Sequence, residues 1–123
     1  MLEVDARDFD AATTHIIGRD QGGSIVAVAR LLHTGAGQFY VGRVVVDPSA
    51  RSQGVGRAII REAGRLALLQ TSSGECAELH LDAQVQAIDF YVGCGYELTD
   101  EPEFLDAGIP HRAMRRRVCA DSQ

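Results

Sequence analysis

The 123-residue sequence contains no lysine, no asparagine and no tryptophan, so all 12 of its basic residues are arginine. Without lysine the chain cannot build a Walker-type phosphate loop, whose signature places an ammonium on the phosphates. It has little cysteine: Cys76, Cys94 and Cys119, an odd number at wide spacing. That pattern argues against a disulfide framework or a zinc site, so no metal is expected. All three are expected as reduced thiols, with Cys94 in the core. No run of about 18 apolar residues exists, which leaves nothing to span a membrane. The N-terminus, MLEVDARDFD, lacks the apolar stretch of a secretory signal, and the cytoplasm is the expected location. A net charge of −5 argues against nucleic acid and for small cationic partners. At this length a single domain over residues 1–123 is expected.

What is present has a clear order. Thr14–Arg19 reads as a short strand, Asp20–Gly23 as a tight turn, and Ser24–Leu32 as a second strand. His33–Gln38 reads as a hairpin loop and Phe39–Val46 as a third, mostly apolar strand. The three form an antiparallel meander. The period then changes: Val55, Ile59, Ala63, Leu66 and Ala67 recur at helical spacing, with Arg57, Arg61, Glu62 and Arg65 opposite. Ala77–Ala83 alternates as a strand, and after a helix it should run parallel to Phe39–Val46 in a right-handed crossover. Val85–Cys94 reads as a short helix capped by Gly95. Tyr96–Leu98 starts a strand, Thr99–His111 reads as a loop, and Arg112–Val118 closes the sheet. The tail, CADSQ, is expected to fray. The fold class is α/β (α+β), a mixed and mostly antiparallel sheet with helices on its faces.

The segment between strand and helix, Arg51-Ser52-Gln53-Gly54-Val55-Gly56, carries the chemistry. A helix start offers backbone N–H groups without intrahelical partners, and the aligned peptide dipoles add positive charge there. Glycines at 54 and 56 leave room for a ligand to approach the backbone. The plainer alternative is a turn that only starts a helix. A dinucleotide fingerprint does not fit, because Gly54-x-Gly56 is followed by Ile59 where a third glycine would stand.

The segment does fit the acyl-coenzyme A pattern [R/Q]-x-x-G-x-[G/A]. With it, GRVVVDPSARSQGVGRAII, LDAQVQAIDFYVGCGYE and EFLDAGIPHRAM together resemble the GNAT superfamily of N-acetyltransferases, most closely its ElaA-like group. The resemblance covers nearly the whole chain. It implies that Phe39–Val46 and Ala77–Ala83 are parallel neighbours that splay apart to admit the pantetheine arm. The arm's amides would pair with backbone at Val44, Val45 and Val46. The pyrophosphate would sit on N–H groups of Ser52, Gln53, Gly54, Val55, Gly56 and Arg57, with Arg51 and Arg57 adding charge. Members of the family usually begin with a strand and one or two helices. Here MLEVDARDFD stands roughly where that region would finish, so a shortened start is expected. A lost first strand would expose a sheet edge and invite a homodimer.

The resemblance also implies an acetyl-CoA-dependent transfer to a primary amine of a small molecule or peptide. The alternative is a coenzyme A-binding module or partner subunit without turnover. Tyr91 matches the tyrosine that the family places near the thioester sulfur, where a phenol can protonate the leaving thiolate. A backbone N–H near Val46 would polarise the carbonyl. The general base is open: His80 and Asp82 on one strand face, and His111, are candidates. Glu3, Asp5 and Asp8 match acidic positions of the ElaA-like group and are candidates for a cationic acceptor. Gln86 and Asp89 stand where relatives often have His and Pro. Arg115 and Arg117 share one side of the closing strand, with Arg116 opposite, which reads as an edge or a solvated strand.

Overall fold

A computed structural model describes residues 3–10 and 13–120, with backbone alone described for 3–10, 52 and 53. Of the tail expected to fray, residues 119–123, Cys119 is held by a disulfide and residues 121–123 lie outside the described residues.

Eight strands and two α-helices follow the order β1 (Glu3–Asp10), β2 (Thr13–Arg19), β3 (Ile25–Gly35), β4 (Gln38–Val46), α1 (Val55–Leu69), β5 (Ala77–Gln84), α2 (Ile88–Gly93), β6 (Glu97–Leu98), β7 (Phe104–Asp106) and β8 (Ile109–Val118). The sheet order is β1-β2-β3-β4-β5-β8-β6, with β7 paired to β8. Every pair is antiparallel except β4 with β5, which the α1 crossover makes parallel. The expected mixed sheet is therefore present.

Helix α1 lies across β2 to β5. Its buried positions, Val55, Ile59, Ile60, Ala63, Gly64 and Ala67, recur at three and four residues. They meet the sheet face formed by Ile16, Ala29, Leu31, Phe39, Val41, Leu79, Leu81 and Met114, all almost fully buried. The period-2 alternation of β5 is clean. Ala77, Leu79, Leu81 and Ala83 enter this core, while Glu78, His80, Asp82 and Gln84 face the other way.

Four expectations need correction. Glu3–Asp10, read as the end of a truncated segment, is a strand, antiparallel to β2 from Glu3 opposite Arg19 to Asp10 opposite Thr13. The edge expected at Thr14–Arg19 is therefore covered by β1. Within Thr99–His111, read as one loop, Phe104–Asp106 and Ile109 onward form a hairpin. Its two turn residues, Ala107 and Gly108, have φ of 53° and 78°, as a type I′ turn requires. Pro48–Gln53, read as loop, is a 3₁₀ helix whose first turn is held by Asp47. The Asp47 carboxylate accepts from Ser49 N at 2.9 Å and Ser49 Oγ at 2.6 Å.

The fourth correction is a disulfide. Cys76 and Cys119 are bonded, not reduced, with Cα atoms 4.3 Å apart. The strand register explains it: Ala77 pairs with Val118, so the next residue outward on each strand is a cysteine. Cys94 is the free thiol, half-buried on the end of α2.

Candidate functional site

The site arises where the ladder between β4 and β5 stops. The two strands pair only through Gln38–Glu78, Phe39–Leu79 and Tyr40–His80, although β4 continues to Val46 and β5 to Gln84. Beyond Tyr40 they part, as expected, and the opening is a cleft of about 890 Å³.

A β-bulge turns the outer half of β4. Gly42 pairs with Arg30 and Val45 with Val28, so Arg43 and Val44 together oppose Ala29. Arg43 takes a φ of 52°, unusual for a residue with a side chain. The extra residue reverses the pleat. Phe39 and Val41 point into the core before the bulge, and Val44 and Val46 pack against it afterwards. The backbone is re-aimed as well. Asp47 N–H bonds to Val26 O on β3 at 2.7 Å. Peptide direction alternates along a strand, so Val44 and Val46 present their backbone groups to the gap. The Val46 carbonyl already accepts Arg51 Nε at 3.2 Å. Val45 faces the other way: its backbone is turned to β3 and its side chain is 58% exposed.

At the mouth of the gap stands the N-terminus of α1. Gly54, with a φ of 75°, ends the 3₁₀ helix and opens α1, a backbone shape that suits glycine. The first α-helical bond runs from Ala58 N to Gly54 O at 3.1 Å. The amides of Val55, Gly56 and Arg57 precede it and form the open first turn. A β-carbon on Gly54 would meet no atom within 4 Å, so the space above it is clear. One on Gly56 would lie 3.2 Å from Phe90 Cζ, so glycine there lets α2 approach α1. Arg57 donates from Nη1 to Gly93 O at 3.0 Å and ties the end of α2 to this turn.

Of the expected contact residues, Val44, Val46, Arg51, Gly54, Gly56, Arg57 and Tyr91 line the cleft. Val45 does not, and the Val55 side chain is in the core, leaving only its backbone to serve. The side chains of Ser52 and Gln53, like those of Glu3, Asp5 and Asp8, lie outside the described residues.

Tyr91 is brought to the gap by α2, partly buried and edge-on to Phe90 and Tyr96. Burial pushes its phenol above the ordinary value, so it is protonated at neutral pH. The three base candidates separate. His80 is outside the cleft, 3.2 Å from Gln38 Oε1 and 3.5 Å from Glu78 Oε1. Asp82 lines it and accepts from Tyr40 Oη at 2.9 Å. His111 lines it and is 8% exposed. Gln86 also lines the cleft, whereas Asp89 is exposed and outside it.

Among the wall residues that sequence reasoning missed are Tyr40, Gln84, Phe90 and Asp106. Strand alternation places Tyr40 opposite Phe39 and was a usable signal. Asp106 was not visible, because it sits on the hairpin read as a loop. The charges divide: Arg43, Arg51 and Arg57 lie with β4 and α1, while Asp82 and Asp106 lie with β5 and β7. Among the described residues no cluster of His, Cys, Asp or Glu is fit to hold a metal ion, and no helix is long and apolar enough to cross a membrane.

Comparison with known proteins agrees with this geometry. Residues 3–118 match the acetyltransferase (GNAT) domain. An uncharacterized N-acetyltransferase of Bacillus subtilis, YjcF, is 33% identical over 114 residues, covering 93% of this chain and 77% of the relative. The crystal structure of an acyl-CoA N-acyltransferase from Pseudomonas aeruginosa superposes with a TM-score of 0.70 at 31% identity, covering 89% of this chain and 71% of that one. Escherichia coli ElaA superposes with a TM-score of 0.71 at 25% identity, covering 89% and 74%. With a splayed strand pair, a helix N-terminus at its mouth and a domain match over almost its whole length, the chain belongs to the GNAT acetyltransferase family and is an acyltransferase of that type.

Proposed function

We propose that the chain transfers the acetyl group of acetyl-CoA to a primary amine of a small molecule or peptide. The observation that carries this reading is the meeting of the open first turn of α1, at Gly54–Arg57, with the gap between β4 and β5. The pyrophosphate would rest on the amides of Gly54 to Arg57 and take charge-assisted bonds from Arg51 and Arg57. Each arginine already spends one nitrogen on a carbonyl, of Val46 or Gly93, and keeps others to donate. The pantetheine arm would bond to backbone at Val44 and Val46, facing the gap, and not at Val45.

In the reaction, the amine nitrogen forms a bond to the thioester carbon and the carbonyl pair moves onto oxygen, held by a backbone N–H near Val46. Collapse breaks the carbon–sulfur bond. The thiolate takes the Tyr91 phenolic proton, which burial keeps in place at neutral pH. The acceptor approaches past Asp82 and Asp106, whose carboxylates favour a cationic amine.

The test pairs calorimetric titration of coenzyme A with thiol release from acetyl-CoA across a panel of primary amines. Binding with turnover supports the transferase. Binding without turnover for any amine would favour a coenzyme A-binding module. No binding would reject both.

A further inference from the structure

We propose that His111 is the general base that takes the proton from the acceptor amine; this rests on the transferase reading above. His111 is the imidazole among the described cleft residues, and the sheet holds it from three sides. It pairs with Gln84 across β8 and β5. Its ring stacks on Phe104 of β7, with centroids 5.8 Å apart. Its Nδ1 lies 2.7 Å from Ile109 O. A carbonyl only accepts, so Nδ1 carries the hydrogen and Nε2 carries the lone pair. Nε2, on the opposite edge of the ring, has no protein hydrogen-bond partner among the described residues. The hairpin thus fixes both the tautomer and the direction of a basic nitrogen in the wall of the cleft.

The rival candidates are placed differently. His80 is turned to Gln38 and Glu78, outside the cleft. Asp82 accepts the Tyr40 hydroxyl. The charged and titratable groups that share the cleft with His111 are Tyr40 and Arg43 on β4, Asp82 on β5, Tyr91 on α2, Asp106 on β7, and Arg51 and Arg57 at the α1 end. The proton balance closes. The cationic acceptor first loses one proton to solvent, which frees the nitrogen lone pair; His111 Nε2 then takes a second as the nitrogen–carbon bond forms and releases it to solvent. Tyr91 gives one to the thiolate and recovers one from solvent.

The experiment compares wild type with His111→Gln, using benzylamine as acceptor and thiol release as the readout. The expected result is a fall in kcat/KM of about 100-fold or more, with coenzyme A affinity unchanged by calorimetry. A variant within threefold of wild type would overturn the assignment. Loss of coenzyme A binding by the wild type would instead sink the transferase reading. Nitrogen-15 spectra of the wild type need no variant and no acceptor. They should show the neutral His111 ring with its hydrogen on Nδ1; a hydrogen on Nε2 would overturn the proposal.

Discussion

Tyr40 Oη donates to Asp82 Oδ2 at 2.9 Å, and this bond spans the two strands just where their backbone ladder ends. Desolvation, and then the Asp82 carboxylate, push the Tyr40 phenol up to about 12. A raised phenol stabilises the fold below its ordinary value near 10 and loses that contribution as pH climbs toward about 12. Tyr40→Phe should cost about 0.5–1.5 kcal/mol at pH 8 by urea unfolding. The gap between wild type and variant should narrow between pH 10 and 12; a constant gap would refute the bond.

Gly54 and Gly56 are adjacent in the motif but different in kind. Gly54 needs a positive φ and has open space around it, so Gly54→Ala should lose about 1–2 kcal/mol of stability through backbone strain. Gly56 has no such backbone demand and stands against Phe90 and the cleft. Gly56→Glu should abolish coenzyme A binding by calorimetry, because it sets a carboxylate on the anion seat and pushes Phe90 aside. Unchanged affinity in Gly56→Glu would contradict the placement of the pyrophosphate.

Tyr91→Phe should lower kcat about tenfold to 100-fold while coenzyme A affinity stays within twofold, the pattern of a lost proton donor. Burial raises the wild-type phenol, so its donor form persists above the usual pH of about 10. The alkaline fall of kcat should therefore begin above that value and be absent in the variant. Equal kcat at saturating acetyl-CoA would remove Tyr91 from the mechanism.

The Cys76–Cys119 disulfide ties the start of β5 to the end of β8, at a sequence separation of 43. A loop of that size predicts about 2–4 kcal/mol of stabilisation by restricting the unfolded chain. Cys119→Ser should show a loss in that range by urea unfolding, with coenzyme A affinity retained. A denatured wild-type sample that alkylates at all three cysteines without reductant would contradict the pairing.

These particulars show what a single sequence makes legible. The meander, the α1 face and the Arg51–Gly56 motif were readable because each rests on local periodicity or fixed spacing. The β1 strand was hidden by its charges, since Asp and Arg have low strand propensity; as the sheet's first edge it needs only backbone pairing to β2, and charge there discourages further association. The β7–β8 hairpin was hidden because Ala107 holds a left-handed turn position where Asn, Asp or Gly would have signalled it. The bulge at Arg43 follows Gly42, an isolated glycine inside the strand that was a usable signal for it. The disulfide follows from the β5–β8 register, which joins residues too distant for spacing to relate. His111 could be named as a base candidate, but its anchored Nδ1 depended on that unread hairpin.

The most direct test of the account follows backbone amide resonances while coenzyme A is added to the protein. Gly54, Gly56 and Arg57 N–H should move strongly downfield and saturate with the calorimetric binding curve, while Val45 N–H stays in place. Saturable binding that leaves the α1 first turn unmoved would contradict the claim that this turn holds the diphosphate.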